Sequence, residues 1–123
     1  SKLEGKFVPS EGPIPQTVSG NAMVVGDAAG QVISVNGGGI PPAIIAGRIC
    51  GRVAAENIRS GSPLSTYDTE WRHIMEKPLK TAAFNKKLAD TFAFRSEATT
   101  RMCMAMLGKR RMGNLIRCKR LFP

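Results

Sequence analysis

Hydrophobic positions along this chain of 123 residues fall into blocks separated by glycine, proline and serine. Residues 1–20 carry no sustained period: Pro9, Pro13 and Pro15 break any helix and Phe7-Val8 offers at most a short strand, so the stretch reads as extended chain with a turn at Ser10-Glu11-Gly12. Ser19-Gly20-Asn21 supplies a turn before the apolar run Ala22 to Val25, which has the length of a strand. A helix is predicted from about Pro42 to Arg59. Ile44, Ile45, Ile49, Val53 and Ile58 make it apolar around much of its circumference, the pattern of an element covered on several sides. Arg48, Arg52 and Arg59 form its polar stripe, and Arg52 and Glu56 stand at ion-pair spacing.

Ser60-Gly61-Ser62-Pro63 ends that helix and opens another, with Ser62 placed to cap it. Leu64, Tyr67, Trp71, Ile74 and Met75 then recur as a core-facing stripe; Asp68 and Arg72 are spaced to pair, and His73 lies off the stripe, as surface histidines do. Pro78 kinks or restarts the helix. Beyond it Leu79, Ala83, Phe84, Leu88 and Phe92 predict a further amphipathic segment, and Ser96 to Leu107 a third helix with Met102 and Met106 on one face. Such Met and Phe side chains fit an ordinary core, the default, and also fit a pocket for a flexible apolar chain. Lys109 to Pro123 loses periodicity.

The chemistry concentrates between Asn21 and Ile58. A short strand runs into Gly26-Asp27-Ala28-Ala29-Gly30; the link Gln31 to Asn36 leads to Gly37-Gly38-Gly39, and Ile40 opens the long helix. Glycines let a ligand approach the backbone closely, and Asp27, just past a strand end, offers a carboxylate to sugar or ribityl hydroxyls. Pro41 and Pro42 suit a first helical turn, where their missing N–H groups would have no partner. The positive end of the helix dipole then faces whatever sits over the glycines, favouring negative charge there. Ser34 and Asn36 either meet that ligand or, as loop Ser and Asn more often do, bond their own backbone. Ala43, Gly47, Gly51 and Ala55 repeat every four residues along one helix face. Helix-interior glycine costs about 1 kcal/mol relative to alanine, so the stripe implies close packing.

Gly26-Asp27-Ala28-Ala29-Gly30, then Gly37-Gly38-Gly39-Ile40, then Ala43, Ala46 and Gly47, resemble the second flavin motif of the geranylgeranyl reductase family of FAD-dependent oxidoreductases. Gly5 to Pro9 and Gly12 to Pro15 resemble the segment before that motif, and Leu64, Tyr67, Trp71 and Arg72 the helix after it, so the resemblance covers roughly the first 90 residues. It departs at Val32 to Asn36, where relatives commonly carry a proline. The resemblance implies an α+β, mostly helical fragment. Residues 1–20 would lead from the substrate-binding sheet, 21–61 would form the second half of the FAD-binding domain, and 62–123 a C-terminal helical region with a basic tail. It implies FAD as cofactor, held by Gly26, Asp27, Ala28, Gly38, Gly39 and Ile40, and no metal. The implied reaction is reduction of C=C bonds in geranylgeranyl chains of glycerophospholipids. No G-x-G-x-x-G fingerprint for the ADP pyrophosphate occurs, so the chain reads as the carboxyl-terminal piece of a longer polypeptide whose amino-terminal portion is its first partner. Catalytic residues, the proton donor among them, are not assigned. Other partners implied are an isoprenoid lipid, a reductant or electron-donor protein, and further copies of the chain through its apolar helix. A FixC-like quinone-coupled flavoprotein is the second reading, a monooxygenase the third, and a basic helical module without chemistry the reading from another class.

Net charge is +9, from 18 Lys and Arg against 9 Asp and Glu, and no acid follows Glu97. A basic tail binds polyanions or serves solubility alone. With a phospholipid substrate, an anionic membrane surface is the expected contact, at about 1 kcal/mol per basic residue near it, and nucleic acid is not expected. Cys50, Cys103 and Cys118 fit neither a disulfide framework nor a zinc site, which points to the cytoplasm, with any membrane association peripheral, at its inner face.

Overall fold

A computed structural model of the chain describes residues 9–92, 96–98, 100–102, 105 and 113. Its longest element is helix α1, Ile40–Ser60. Prolines 41 and 42 fill the first turn, and Gly61, at φ +70°, ends the helix with its N–H on the Asn57 carbonyl at 2.8 Å. The Asn57 amide donates to the Ser62 carbonyl at 2.6 Å, so Ser62 works through its backbone and not as the expected cap. Helix α2, Ser65–Trp71, starts behind Leu64 with no side-chain cap. It continues into a π-helical turn, Arg72–Glu76, and then helix α3, Lys77–Phe92.

The π turn has a cause in Pro78, which brings no N–H to the carbonyl four residues back and crowds it. A wider turn before the proline accommodates both effects. It also decides which residues face inward. Tyr67, Trp71, Met75 and Leu79 are buried at successive steps of four, each overshooting a 3.6-residue turn by about 40°; the wide turn recovers the phase. Ile74, expected in this stripe, is 54 % exposed because Met75 takes its place. After Leu79 the inward positions are Ala82 and Asn85, and Phe84, also expected inward, is exposed.

The expected strand Ala22 to Val25 forms as a hairpin. Strand β1, Val18–Ser19, pairs antiparallel with β2, Ala22–Met23, in register Val18 with Met23 and Ser19 with Ala22. The Val24 N–H extends the pairing to the Thr17 carbonyl at 2.8 Å. Ala46, Ile49 and Val53 of α1 meet Tyr67, Trp71, Met75 and Leu79, with Val18, Met23, Val25, Ile33, Cys50 and Leu64 around them. The architecture is α+β and mostly helical: a two-stranded sheet, a long helix, and a helical arm folded back on it.

Only one face of α1 is covered among the described residues. Ile40, Ile44, Ile45 and Ile58 are exposed, and a Cβ added at Gly47 or Gly51 would meet nothing within 4 Å. The expected Arg52–Glu56 pair forms at 2.9 Å, joined by Glu70 of α2. Residues 97, 98, 100–102 and 105 are helical; the Thr100 N–H reaches the Ser96 carbonyl at 3.0 Å. The expected positions Met106 and Leu107, the Phe7-Val8 strand and, apart from Gly113, the basic tail from Lys109 lie outside the described residues. No helix among them is long and apolar enough to cross a membrane.

Candidate functional site

Val25, in extended conformation, leads into a 3₁₀ turn, Gly26–Ala29, closed by Gly30. Gly26 and Gly30 have φ of +68° and +65°, and a Cβ on Gly30 would run into the Gly12 carbonyl, so glycine is required there on two counts. The turn is held by Gly30 N–H to Asp27 O at 2.9 Å and Gln31 N–H to Gly26 O at 3.0 Å. Ile14 N–H to Ala29 O at 3.1 Å ties it to the preceding segment.

Asp27 and Ala28 are exposed at the crest of this turn, whereas Gly26 and Ala29 are buried. The second glycine cluster comes up against the acid. A Cβ on Gly39 would lie 2.8 Å from Asp27 Oδ1 and 3.6 Å from Val32 Cγ2. The carboxylate therefore rests on the backbone at the start of α1, where the positive end of the helix dipole favours it. A Cβ on Gly26 would stand 3.5 Å from the Ala43 Cβ, so turn and helix start are packed together. Gly26, Asp27, Ala28, Gly39 and Ile40 form one exposed-to-buried cluster, with Gly38 beside it.

The Gly38 amide is engaged within its own loop. Its N–H donates to Asn36 Oδ1 at 2.9 Å, and its carbonyl accepts from Ile33 N–H at 3.1 Å. Asn36 thus bonds its own loop. Ala43 N–H bonds the Gly39 carbonyl at 2.9 Å, and Pro41 and Pro42 have no N–H, which leaves Gly39 and Ile40 as the donors at this helix end. Ser34 is buried, and its hydroxyl has no hydrogen-bond partner among the described residues.

Behind the turn lies a network of which the sequence reading anticipated the Asp68–Arg72 pair alone. Tyr67 O–H donates to the Val24 carbonyl at 3.0 Å and accepts from Gln31 Nε2 at 3.0 Å, while Gln31 Oε1 accepts the Gly26 N–H at 2.7 Å. Thr17 O–H donates to Asp68 Oδ1 at 2.5 Å and accepts from Trp71 Nε1 at 2.9 Å. Arg72 forks onto both Asp68 oxygens, pairs with Glu76 at 2.8 Å, reaches the Ile14 and Pro15 carbonyls and stacks 4.5 Å from the Trp71 ring centre. Burial raises the Asp68 carboxyl, but the hydrogen bonds from Arg72 and Thr17 outweigh it and hold it below its ordinary value. Burial pushes the Tyr67 hydroxyl up, against the Gln31 hydrogen bond. The available signal was chemical: a buried Tyr or Trp needs a partner for its polar atom. His73 is exposed on the π turn, as expected, and no metal-binding group of His, Cys, Asp and Glu occurs among the described residues.

Comparison with curated proteins finds a digeranylgeranylglycerophospholipid reductase of Methanococcus aeolicus, 40% identical over 89 residues, 69% of this chain and 23% of that protein. A second, digeranylgeranylglycerophospholipid reductase 2 of Methanothermobacter thermautotrophicus, is 44% identical over 87 residues, 68% of this chain and 23% of its own length. By sequence the chain is a homologue of the digeranylgeranylglycerophospholipid reductases. A further reductase, from Methanothrix thermoacetophila, is 41% identical over 76 residues, 58% of this chain and 19% of that protein. This reductase homologue thus spans under a quarter of the length of these curated relatives. No family model matches it, and no solved structure does.

Proposed function

We propose that this chain forms part of an FAD-dependent reductase that saturates C=C bonds in geranylgeranyl chains of glycerophospholipids, and that its share of the work is to hold the flavin. The observation that carries the reading is the Asp27 carboxylate seated on the Gly39 backbone at the start of α1, in a sequence about 40% identical to reductases named for that substrate. Three features fit a flavin: an exposed acid for ribityl or ribose hydroxyls, two helix-start N–H groups for a partly negative ring edge, and a Gly39 position where a Cβ would collide with the acid. The Ser34 hydroxyl, without a partner among the described residues, is a fourth polar group, in the linking loop.

When bound, FAD would supply the hydride for an alkene that has no carbonyl to polarise it. Asp27 would accept hydrogen bonds from the cofactor's sugar or ribityl portion, and Gly39 and Ile40 would donate to its pyrimidine edge. Gly26 and Ala28 would bring backbone against it. Gly38 would line the site with its Cα alone, since its N–H is taken by Asn36. Such an arrangement would orient the reactive face of the ring. An isoprenoid lipid and a reductant would be the partners, at the cytoplasmic side of a membrane, with the basic residues on anionic headgroups.

The test is Asp27→Ala in the full-length protein. FAD content after purification is expected to fall, with the melting temperature of the flavin-free form unchanged. Undiminished FAD content would remove Asp27 from the site.

A further inference from the structure

We propose that Tyr67 is a positioning residue for the cofactor site, acting through Gln31 on the Gly26 amide and so on the aim of the Asp27 carboxylate. The inference rests on the cofactor reading above. Its observation is the continuous relay from α2 to the turn: Tyr67 O–H to the Val24 carbonyl, Gln31 Nε2–H to the Tyr67 oxygen, and Gly26 N–H to Gln31 Oε1, at 3.0, 3.0 and 2.7 Å. Tyr67 and Gln31 are both fully buried.

The polarity of the relay is fixed at both ends. The Gly26 N–H only donates and the Val24 carbonyl only accepts, so the Gln31 amide has one admissible orientation and the Tyr67 hydroxyl one admissible direction. A tyrosine serving the core alone would be satisfied by Val24. This one also anchors the glutamine that holds the N–H immediately before Asp27. Gly26 sits at φ +68°, so the direction in which the chain leaves it, and with it the Asp27 side chain, depends on how that peptide is pinned. The other side of the hinge is tied to the same helix. Val24 N–H bonds the Thr17 carbonyl, and the Thr17 hydroxyl bonds Asp68 and Trp71. Helix α2 therefore sets the strand-to-turn hinge from both faces, through Gln31 and Val24 on one side and Thr17 on the other.

The experiment uses the full-length protein with FAD as the probe and three variants. Tyr67→Phe keeps the ring and removes the hydroxyl, Gln31→Met keeps the volume and removes both hydrogen bonds, and Val53→Ala weakens the core of α1 away from the relay. Readouts are the FAD dissociation constant, the visible spectrum of the bound flavin, and hydrogen exchange at the Gly26 amide in the flavin-free protein. Tyr67→Phe and Gln31→Met are expected to weaken FAD binding by about tenfold, the scale of losing a buried hydrogen bond that orients a site. They should also shift the flavin spectrum and speed exchange at Gly26. Val53→Ala should lower the melting temperature and leave FAD affinity and spectrum unchanged. FAD affinity unchanged in both relay variants, or reduced as much by Val53→Ala, would overturn the proposal and leave the cofactor reading standing. A wild-type protein that takes up no FAD would overturn both.

Discussion

Gly39 has ordinary right-handed helical backbone, φ −94° and ψ −23°, so a side chain there is not forbidden by conformation. What forbids it is the neighbour: its Cβ would stand 2.8 Å from Asp27 Oδ1. Because that oxygen is the far end of a side chain, it can move, and Gly39→Ala is expected to fold with stability within about 0.5 kcal/mol of wild type. The displaced carboxylate should then bind flavin more weakly. A thermal melt alongside an FAD titration separates the two effects, and equal affinity would mean the seat on Gly39 is incidental. Ser34 presents the converse case. Its buried hydroxyl has no partner among the described residues, and such a group costs about 1–3 kcal/mol, so Ser34→Ala should raise the stability of the flavin-free chain, measured by denaturant unfolding. If the same change lowers stability with FAD bound, the ligand is the missing partner.

At the scale of elements, the helical arm is fastened to the segment before the hairpin by Asp68. Its carboxyl accepts from Thr17 and Arg72 and is held below its ordinary value of 3.8 despite burial. A carboxyl lowered in the folded state adds stability above its unfolded pKa and loses it as pH falls through the folded one. Asp68→Asn is therefore expected to cost about 1–3 kcal/mol near neutral pH, with the gap to wild type narrowing below pH of about 4. Denaturant curves at pH 7 and pH 3 check it; a gap independent of pH would assign the loss to packing. Glu76, also lowered, by Lys80 first and Arg72 as well, remains in both proteins and gives them a shared acid sensitivity. Much of this element was legible in order: the Asp68–Arg72 spacing, Tyr67 and Trp71 facing inward, and the start and end of α1 within two residues, because proline and glycine mark them. The hairpin was not, since two-residue strands carry no period. Nor was the phase after Trp71: Pro78 announces a disturbance, but only packing decides that the extra residue enters before it and turns Ile74 out. At the site, the glycines and Asp27 stood out by type. Gln31 did not, because its role lies in a partner 36 positions away.

For the molecule as a whole, the open question is the outer face of α1. Ile40, Ile44 and Ile58 are 76 %, 65 % and 86 % exposed; Gly47 and Gly51 between them leave room for a close neighbour, and Arg48 and Arg59 border the strip. Each isoleucine withdrawn from water is worth about 1.5–3 kcal/mol. The relatives are about three times as long as this chain, so in them other parts of the polypeptide can cover such a strip. On its own, the chain is expected to cover it with a second copy, glycines facing glycines. Sedimentation velocity over a dilution series should show concentration-dependent dimers or larger species. The double variant Ile44→Glu, Ile58→Glu should sediment as a monomer with a concentration-independent melting temperature matching that of the wild-type chain at dilutions where it too is monomeric, since both positions are exposed and glutamate favours helix at least as well as isoleucine. A wild-type chain that stays monomeric, or a variant that still associates, would show that this strip is not where copies meet.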